Sequence, residues 1–266
     1  MGTEAGAALA SSKRIAKIAF TGSTAVGKKI ALAAASSMIP ATLELGGKNA
    51  LIVCPDYEDM GEAARVACGA NFFNAGQICV GMSRVFIPEE RYEAFVAAAS
   101  TRAAGRIVGS QWDPDTEMGP LVDERQVSRV LKYIEQGVAE GAAVVCGGGR
   151  VPGTPQGTCF LQPTVLRDVT DSNVVAREEI FGPVMCCLRY PNGDLDSAIA
   201  RANSTTFGLA ATVLTNSIPT ALRCARELLA GSVWVNTHGV FDPSIPYGGL
   251  KQSGWGKEYG EEGLDA

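Results

Sequence analysis

Apolar residues recur along this chain with two different periods, and the two alternate. Positions 127, 130, 131, 134 and 138 are apolar, as are 218, 221, 222, 225, 228 and 229. That spacing lays one apolar stripe along a 3.6-residue helix, predicting helices over 123–138 and 218–229. Met60, Ala63, Ala64, Ala67 and Ala70 repeat the stripe in a helix predicted over 58–73, and further helices are expected over 25–36, 89–104 and 195–202. Short apolar runs bounded by turn residues read instead as buried strands, over 16–20, 41–45, 50–53, 83–87, 184–188, 209–214 and 233–235. Such alternation predicts an α/β fold with mostly parallel sheets. The Gly- and Pro-rich stretch 147–158 is expected to be an exposed loop between strands.

Composition narrows the function classes. A chain of 266 residues, 46% hydrophobic and 19% charged, can bury a sizeable core as one large domain or two smaller ones. The net charge of −5 and the absence of a basic stripe interleaved with aromatics make nucleic acid a poor partner. The apolar runs are too short and interrupted to span a membrane, and residues 1–10 lack the pattern of a secretory signal. Eight cysteines without a CxxC pair read as reduced thiols, so a cytoplasmic location is expected. The single histidine, His238, rules out a His-rich metal site and weakens any scheme with a histidine base, so no metal is expected.

Three segments carry candidate chemistry. Phe20-Thr21-Gly22-Ser23-Thr24 lies between a predicted strand and a predicted helix that Ser23 or Thr24 can cap. Free N–H groups and the helix dipole there favour an anion, with Gly22 allowing close approach. Gly22 through Lys28 also fits part of a nucleotide-triphosphate loop, but Lys29 stands where a magnesium-holding hydroxyl belongs, so a dinucleotide pyrophosphate is the better guest. A plain strand-to-helix turn reads the same way. Glu44 sits between Leu43 and Leu45 at a strand end, where apolar surroundings raise a carboxyl pKa toward that of a general base; pairing with Lys48 is the alternative. Cys79 follows the glycine-containing turn Gly76-Gln77-Ile78, which can present its sulfur to a cleft, whereas Cys54, Cys68 and Cys224 lie in periodic apolar segments and read as core.

Taken together these segments resemble the aldehyde dehydrogenase superfamily. The resemblance rests on Phe20-Thr21-Gly22-Ser23, Leu43-Glu44-Leu45-Gly46-Gly47-Lys48, Phe72-Phe73-Asn74-Ala75-Gly76-Gln77-Ile78-Cys79, Glu178-Glu179-Ile180-Phe181-Gly182-Pro183 and Pro246-Tyr247-Gly248-Gly249-Leu250-Lys251-Gln252-Ser253-Gly254, in the family's order. It implies a partial Rossmann-type dinucleotide domain over 1–45, a parallel-sheet α/β catalytic domain over 46–247, and a segment over 248–266 returning to the cofactor domain. It further implies that Cys79 is the nucleophile, forming a thiohemiacetal and then a thioester, and that Glu44 activates the hydrolytic water. Gly22 and Ser23 would face the pyrophosphate of NAD or NADP, Glu179 the nicotinamide ribose, Phe181 the same ring, and the Leu45 backbone the nicotinamide amide. Ile78, Val80, Phe241 and Tyr247 would line the aldehyde tunnel, and the two aromatics suggest an aromatic or other flat apolar aldehyde.

By the same resemblance, family members begin well upstream of Met1. The upstream part supplies the first strands of the cofactor sheet and an oxyanion-hole asparagine, a kind of donor worth roughly 10²–10³ in rate. The expectation is therefore a fragment, inactive alone, of an enzyme that works as a homo-oligomer. Related members that release the thioester to coenzyme A are an alternative, opposed by Glu44; a phosphate-binding NTPase is another, opposed by Lys29.

Overall fold

The computed structural model describes residues 2–155 and 157–265, so Gln156 in the predicted 147–158 loop lies outside the described residues. The helices are α1 (Ala7–Ala10), α2 (Thr24–Ser36), α3 (Met60–Phe72), α4 (Tyr92–Ala104), α5 (Glu124–Ala139), α6 (Val174–Arg177), α7 (Leu195–Asn203), α8 (Ile218–Glu227) and α9 (Gly260–Asp265). The strands are β1 (Ile18–Thr21), β2 (Ala41–Glu44), β3 (Ala50–Val53), β4 (Arg84–Pro88), β5 (Ala143–Cys146) and β6 (Thr164–Arg167). Then follow β7 (Val184–Tyr190), β8 (Phe207–Gly208), β9 (Ala210–Leu214), β10 (Ser232–Val235), β11 (Leu250–Lys251) and β12 (Gly254–Trp255).

Two sheets carry the fold. The larger runs β10-β9-β3-β4-β7-β6-β5, parallel throughout except for the antiparallel edge strand β5. Its centre is buried on both faces: Leu51, Ile52 and Val53 of β3 and Val213 and Leu214 of β9 are fully inaccessible. This is why those strands read as continuous apolar runs rather than alternating ones. Each such side chain contributes roughly 1.5–3 kcal/mol on burial. Two buried tyrosines satisfy their hydroxyls on this sheet, Tyr190 donating to the Val53 carbonyl at 2.6 Å and Tyr92 to the Cys187 carbonyl at 3.1 Å.

The smaller sheet runs β1-β2-β12, with β1 and β2 parallel and β12 antiparallel to β2. β1 pairs on one side only. The chain passes from β2 to β3, and so from one sheet to the other, through Leu45-Gly46-Gly47-Lys48-Asn49, every residue of which is buried. A third pairing, β11 with β8, ties the last part of the chain back to the larger sheet's side.

Helix starts follow from caps written in the sequence. Ser23 accepts from the Val26 N–H, Asp59 from Glu62, Asp123 from Gln126, Asp194 from Ser197 and Ser217 from Thr220. Of the two candidate caps for α2, Ser23 takes the role and Thr24 instead donates to the Gln252 carbonyl at 3.3 Å. The helix expected over 89–104 begins later, because Glu89–Arg91 form a 3₁₀ turn after Pro88. Strands β5, β6, β8, β11 and β12 and the short helices α1, α6 and α9 have no counterpart among the predicted elements. Cys54, Cys68 and Cys224 are core residues, as read, and all eight cysteines are free. No helix among the described residues is long and apolar enough to cross a membrane.

Candidate active site

Cys79 is delivered by a strained turn. After α3 the backbone turns left-handed at three residues in succession, Asn74 (φ 50°), Ala75 (φ 55°) and Gly76 (φ 69°). Only Gly adopts this region without cost, so the turn persists because its surroundings over-determine it. The Asn74 side-chain amide donates to the Gln77 carbonyl at 3.0 Å, and the Val122 N–H donates to Gln77 Oε1 at 2.8 Å. From below, Asn49 Nδ2 donates to the carbonyls of Cys79 at 2.7 Å and Gly81 at 3.0 Å, while its Oδ1 accepts from the Ala210 N–H at 3.0 Å. Gly47 has no room for a side chain, since a Cβ there would stand 2.7 Å from the Cys79 carbonyl oxygen.

The half-buried Cys79 thiol senses two carboxylates. Burial pushes its pKa up, the Tyr247 hydroxyl beside it acts in the opposite direction, and Glu179 and Glu44 add to the rise. Glu44, at the end of β2, is 6% exposed, and neither of its carboxylate oxygens has a hydrogen-bond partner among the described residues. Burial first and the charge of Glu258 second push its pKa up to about 7, against the pull of Lys257. Its Oε1 lies against Gly248 of the returning segment, 3.1 Å from where a Cβ would be. The alternative pairing of Glu44 with Lys48 does not occur: Lys48 is buried and its Nζ has no hydrogen-bond partner either.

The other carboxylate, Glu179, is pressed onto the crossing between the sheets. Its Oε1 accepts from the Gly47 N–H at 3.1 Å, and its Oε2 stands 2.2 Å from where a Cβ on Gly46 would be. Desolvation raises its pKa, with Gly47, Arg129 and Lys48 opposing. Phe181, also left-handed (φ 56°), is held by its carbonyl, which accepts from Gln126 Nε2 at 2.7 Å. The Leu45 N–H is committed to the Ser253 carbonyl at 2.8 Å, so its carbonyl is what remains for a ligand. Gly22 donates its N–H to the Glu44 carbonyl at 3.0 Å, and the Ser23 hydroxyl caps α2. With the Gly22 N–H committed and Lys29 exposed beside it, the turn is a poor cradle for a triphosphate.

Ile78, the residue before Cys79, lines a cavity of about 520 Å³ together with Phe73, Arg65, Thr237, His238 and Phe241 among others. Ile78 and Phe241 are thus on its wall, whereas Val80 is 1% exposed and packs in the core. Tyr247 faces the Cys79 sulfur, and its ring meets Phe241 edge-on at 5.4 Å. His238 Nδ1 is 3.2 Å from the Thr212 hydroxyl, and burial pushes its pKa down to about 4, so the imidazole is neutral. Asn49 and Lys48 were not singled out as site residues in their own right, although both adjoin the Gly46-Gly47 pair; a buried amide or amine beside two glycines is the signal that marks them.

Comparison with known proteins shows the family. A family model described as "Aldehyde dehydrogenase family" matches residues 1–266. The mitochondrial aldehyde dehydrogenase of Leishmania tarentolae is 47% identical over 265 residues, covering 99% of this chain and 52% of that protein. Retinal dehydrogenase 2 of Mus musculus is 48% identical over 264 residues, covering 99% and 50%. The NAD+ complex of aldehyde dehydrogenase from Bacillus cereus superposes with a TM-score of 0.95 at 43% identity, covering all of this chain and 53% of that one. The chain therefore spans about half the length of the relatives it matches, and over that span it belongs to the aldehyde dehydrogenase family.

Proposed function

We propose that this chain carries the reacting half of an enzyme that oxidises an aldehyde to a carboxylic acid, with Cys79 as nucleophile and Glu44 as the base that activates water. One observation carries the reading: a half-buried thiol shares its surroundings with a buried carboxylate that has no protein partner and a pKa near 7. A desolvated, unpaired carboxylate is costly to maintain, and a pKa at working pH suits proton uptake.

The steps balance on this chain's residues. The Cys79 thiolate adds to the aldehyde carbon and forms a thiohemiacetal. NAD(P)+, when bound, supplies the hydride acceptor that turns it into a thioester. Glu44 then takes a proton from water as the water oxygen attacks the thioester carbon; the C–S bond breaks and the acid and the Cys79 thiolate separate. The residues fit such a cofactor: Glu179 is an acceptor for ribose hydroxyls, seated where Gly46 and Gly47 leave it room. Phe181 would pack beside that ribose, the Leu45 carbonyl would take the nicotinamide amide, and Gly22 and Ser23 would face the pyrophosphate. NAD+, bound by the Bacillus cereus relative, is the favoured form.

The reading divides the chain at the sheet crossing, with the cofactor part over 1–45, the catalytic part over 46–247 and the return over 248–266. The aromatic wall around Phe241 and Tyr247 favours a flat apolar or aryl aldehyde. Water, rather than coenzyme A, is the favoured acyl acceptor because Glu44 is in place. The free thiols support a reducing, cytoplasmic setting. Homo-oligomerisation in a complete enzyme, and inactivity of the 266-residue chain alone, complete the reading.

Intact mass tests it. The chain completed to the length of its relatives, given aldehyde and NAD+, should show an acyl adduct that accumulates in Glu44→Gln and is absent in Cys79→Ser. Full turnover by Cys79→Ser would overturn the proposal. Arylacetaldehydes should outrun short aliphatic aldehydes; the reverse order removes the substrate class alone.

A further inference from the structure

Lys48 is an odd residue for the place it occupies. It is 1% exposed, its Nζ has no hydrogen-bond partner among the described residues, and its backbone is pinned by Arg84, which donates to its carbonyl from Nε at 3.0 Å and Nη2 at 2.7 Å. A core site that needed only volume would hold methionine or leucine, because an unpaired buried ammonium is strongly disfavoured. The groups facing it come from three elements: the Cys186 thiol on β7, the Arg84 guanidinium on β4, and Glu178 and Glu179 after α6. Burial and Arg84 push its pKa down, to about 8, so it remains largely cationic at neutral pH. Glu178 is exposed and screened by water, which leaves the half-buried Glu179 as the anion that feels the charge most. Glu179 in turn faces the Gly47 N–H, Arg129 and Lys48, and Arg129 already spends a hydrogen bond on the Glu179 main-chain carbonyl at 2.9 Å.

We infer that Lys48 is a positioning residue for the cofactor: its buried, unpaired ammonium keeps the Glu179 carboxylate ionised against the Gly46-Gly47 backbone, ready to accept the ribose hydroxyls. This rests on Glu179 being the ribose ligand, as proposed above. Lys48 touches neither cofactor nor substrate in this scheme; it acts through Glu179 and through the fixed crossing between the sheets.

Two measurements test it. On the chain completed to its relatives' length, calorimetric NAD+ titration should show Lys48→Met binding more weakly than the parent, because a larger share of Glu179 then carries a proton. The deficit should grow as pH falls, and Lys48→Arg, which keeps the charge, should restore most of the affinity. On the 266-residue chain without cofactor, infrared spectra should show more protonated-carboxyl absorption in Lys48→Met than in the parent, where Glu44 already contributes, and the excess should vanish when Glu179→Gln is added. Where methionine prevents folding, Lys48→Gln serves as the neutral variant. Wild-type affinity and pH profile in the neutral variant, or equal losses in the neutral variant and Lys48→Arg, would overturn the inference. Should Glu179→Gln itself bind NAD+ normally, the ribose reading fails and this one with it; a Glu179→Gln defect beside an unaffected Lys48→Met removes only the role of Lys48.

Discussion

Gly76 and Gly182 meet backbone to backbone: a Cβ on Gly76 would stand 2.1 Å from the Gly182 carbonyl oxygen. The turn before Cys79 and the turn after Glu179 are thereby locked into one unit. A clash with backbone cannot be relieved by a rotamer change, and Gly76 also has a positive φ of 69°. Gly76→Ala should cost about 1–3 kcal/mol of stability. It should also slow alkylation of Cys79 relative to the other thiols, which peptide mapping after iodoacetamide would read. Unchanged Cys79 labelling would show that the contact does not position the sulfur.

Glu44→Gln should leave acylation of Cys79 intact and slow thioester hydrolysis by roughly 10²–10⁴. In the parent chain hydrolysis should fall as pH drops through about 7, because the base is then protonated. The same shift sets a stability slope. The folded carboxyl titrates near 7 and the ordinary value is 4.5, so folding favours the protonated form. That contribution is complete below about 4.5 and is lost as pH rises through about 7. Denaturant melts of Glu44→Gln should lack this slope and run about 1–3 kcal/mol more stable above it. An unchanged slope would place the titration elsewhere.

Arg84 donates to three main-chain carbonyls, of Lys48, Arg201 and Ala202, and so joins the crossing before β3 to the end of α7. Desolvation pushes its pKa down to about 10. Arg84→Met should destabilise by about 3–5 kcal/mol, since the carbonyls are left buried and unmet. Arg84→Lys should recover only part of this, lacking the planar fork. Chemical melts of the three proteins decide it, and equal stability of Arg84→Met would contradict it.

Thr212 is fully buried and its hydroxyl meets His238 Nδ1, so His238→Phe strands that hydroxyl. A loss of about 1–2 kcal/mol is expected at neutral pH. The His238 pKa is depressed to about 4 from 6.5, so its neutral form stabilises the fold above 6.5 and that contribution fades as pH falls through about 4. The gap between variant and parent should narrow over that range in melts at a series of pH values. A gap that is independent of pH would sink the assignment.

The residues of the proposed chemistry are easier to read from the sequence than those that brace them. Cys79 and Glu44 stand in short segments whose composition announces them, and the buried parallel strands β3 and β9 are legible as unbroken apolar runs. Asn49 was harder to see, because its three hydrogen bonds reach residues 30, 32 and 161 positions away and none leaves a local pattern. The pairing of Glu44 with Lys48 was plausible from spacing, yet the Gly46-Gly47 turn sends the two side chains to different neighbours, Glu258 and Glu179. Strands β5 and β12 escaped for another reason. β5 is an edge strand whose residues are largely exposed, and β12 has two residues, one of them Gly254 with φ 132°. Neither has a face whose burial could impose a period.

The returning segment has a consequence for biosynthesis. Ser253 hydrogen-bonds the Gly46 carbonyl across 207 residues, and β12 completes a sheet whose other strands emerge near the beginning. While a ribosome is still making the middle of the polypeptide, the edge of β2 that β12 will cover, and Glu44 on it, stands without that partner strand. Closure of such distant ends is slow and leaves sticky intermediates exposed. Nascent molecules should therefore depend on chaperone shelter until translation has passed Trp255.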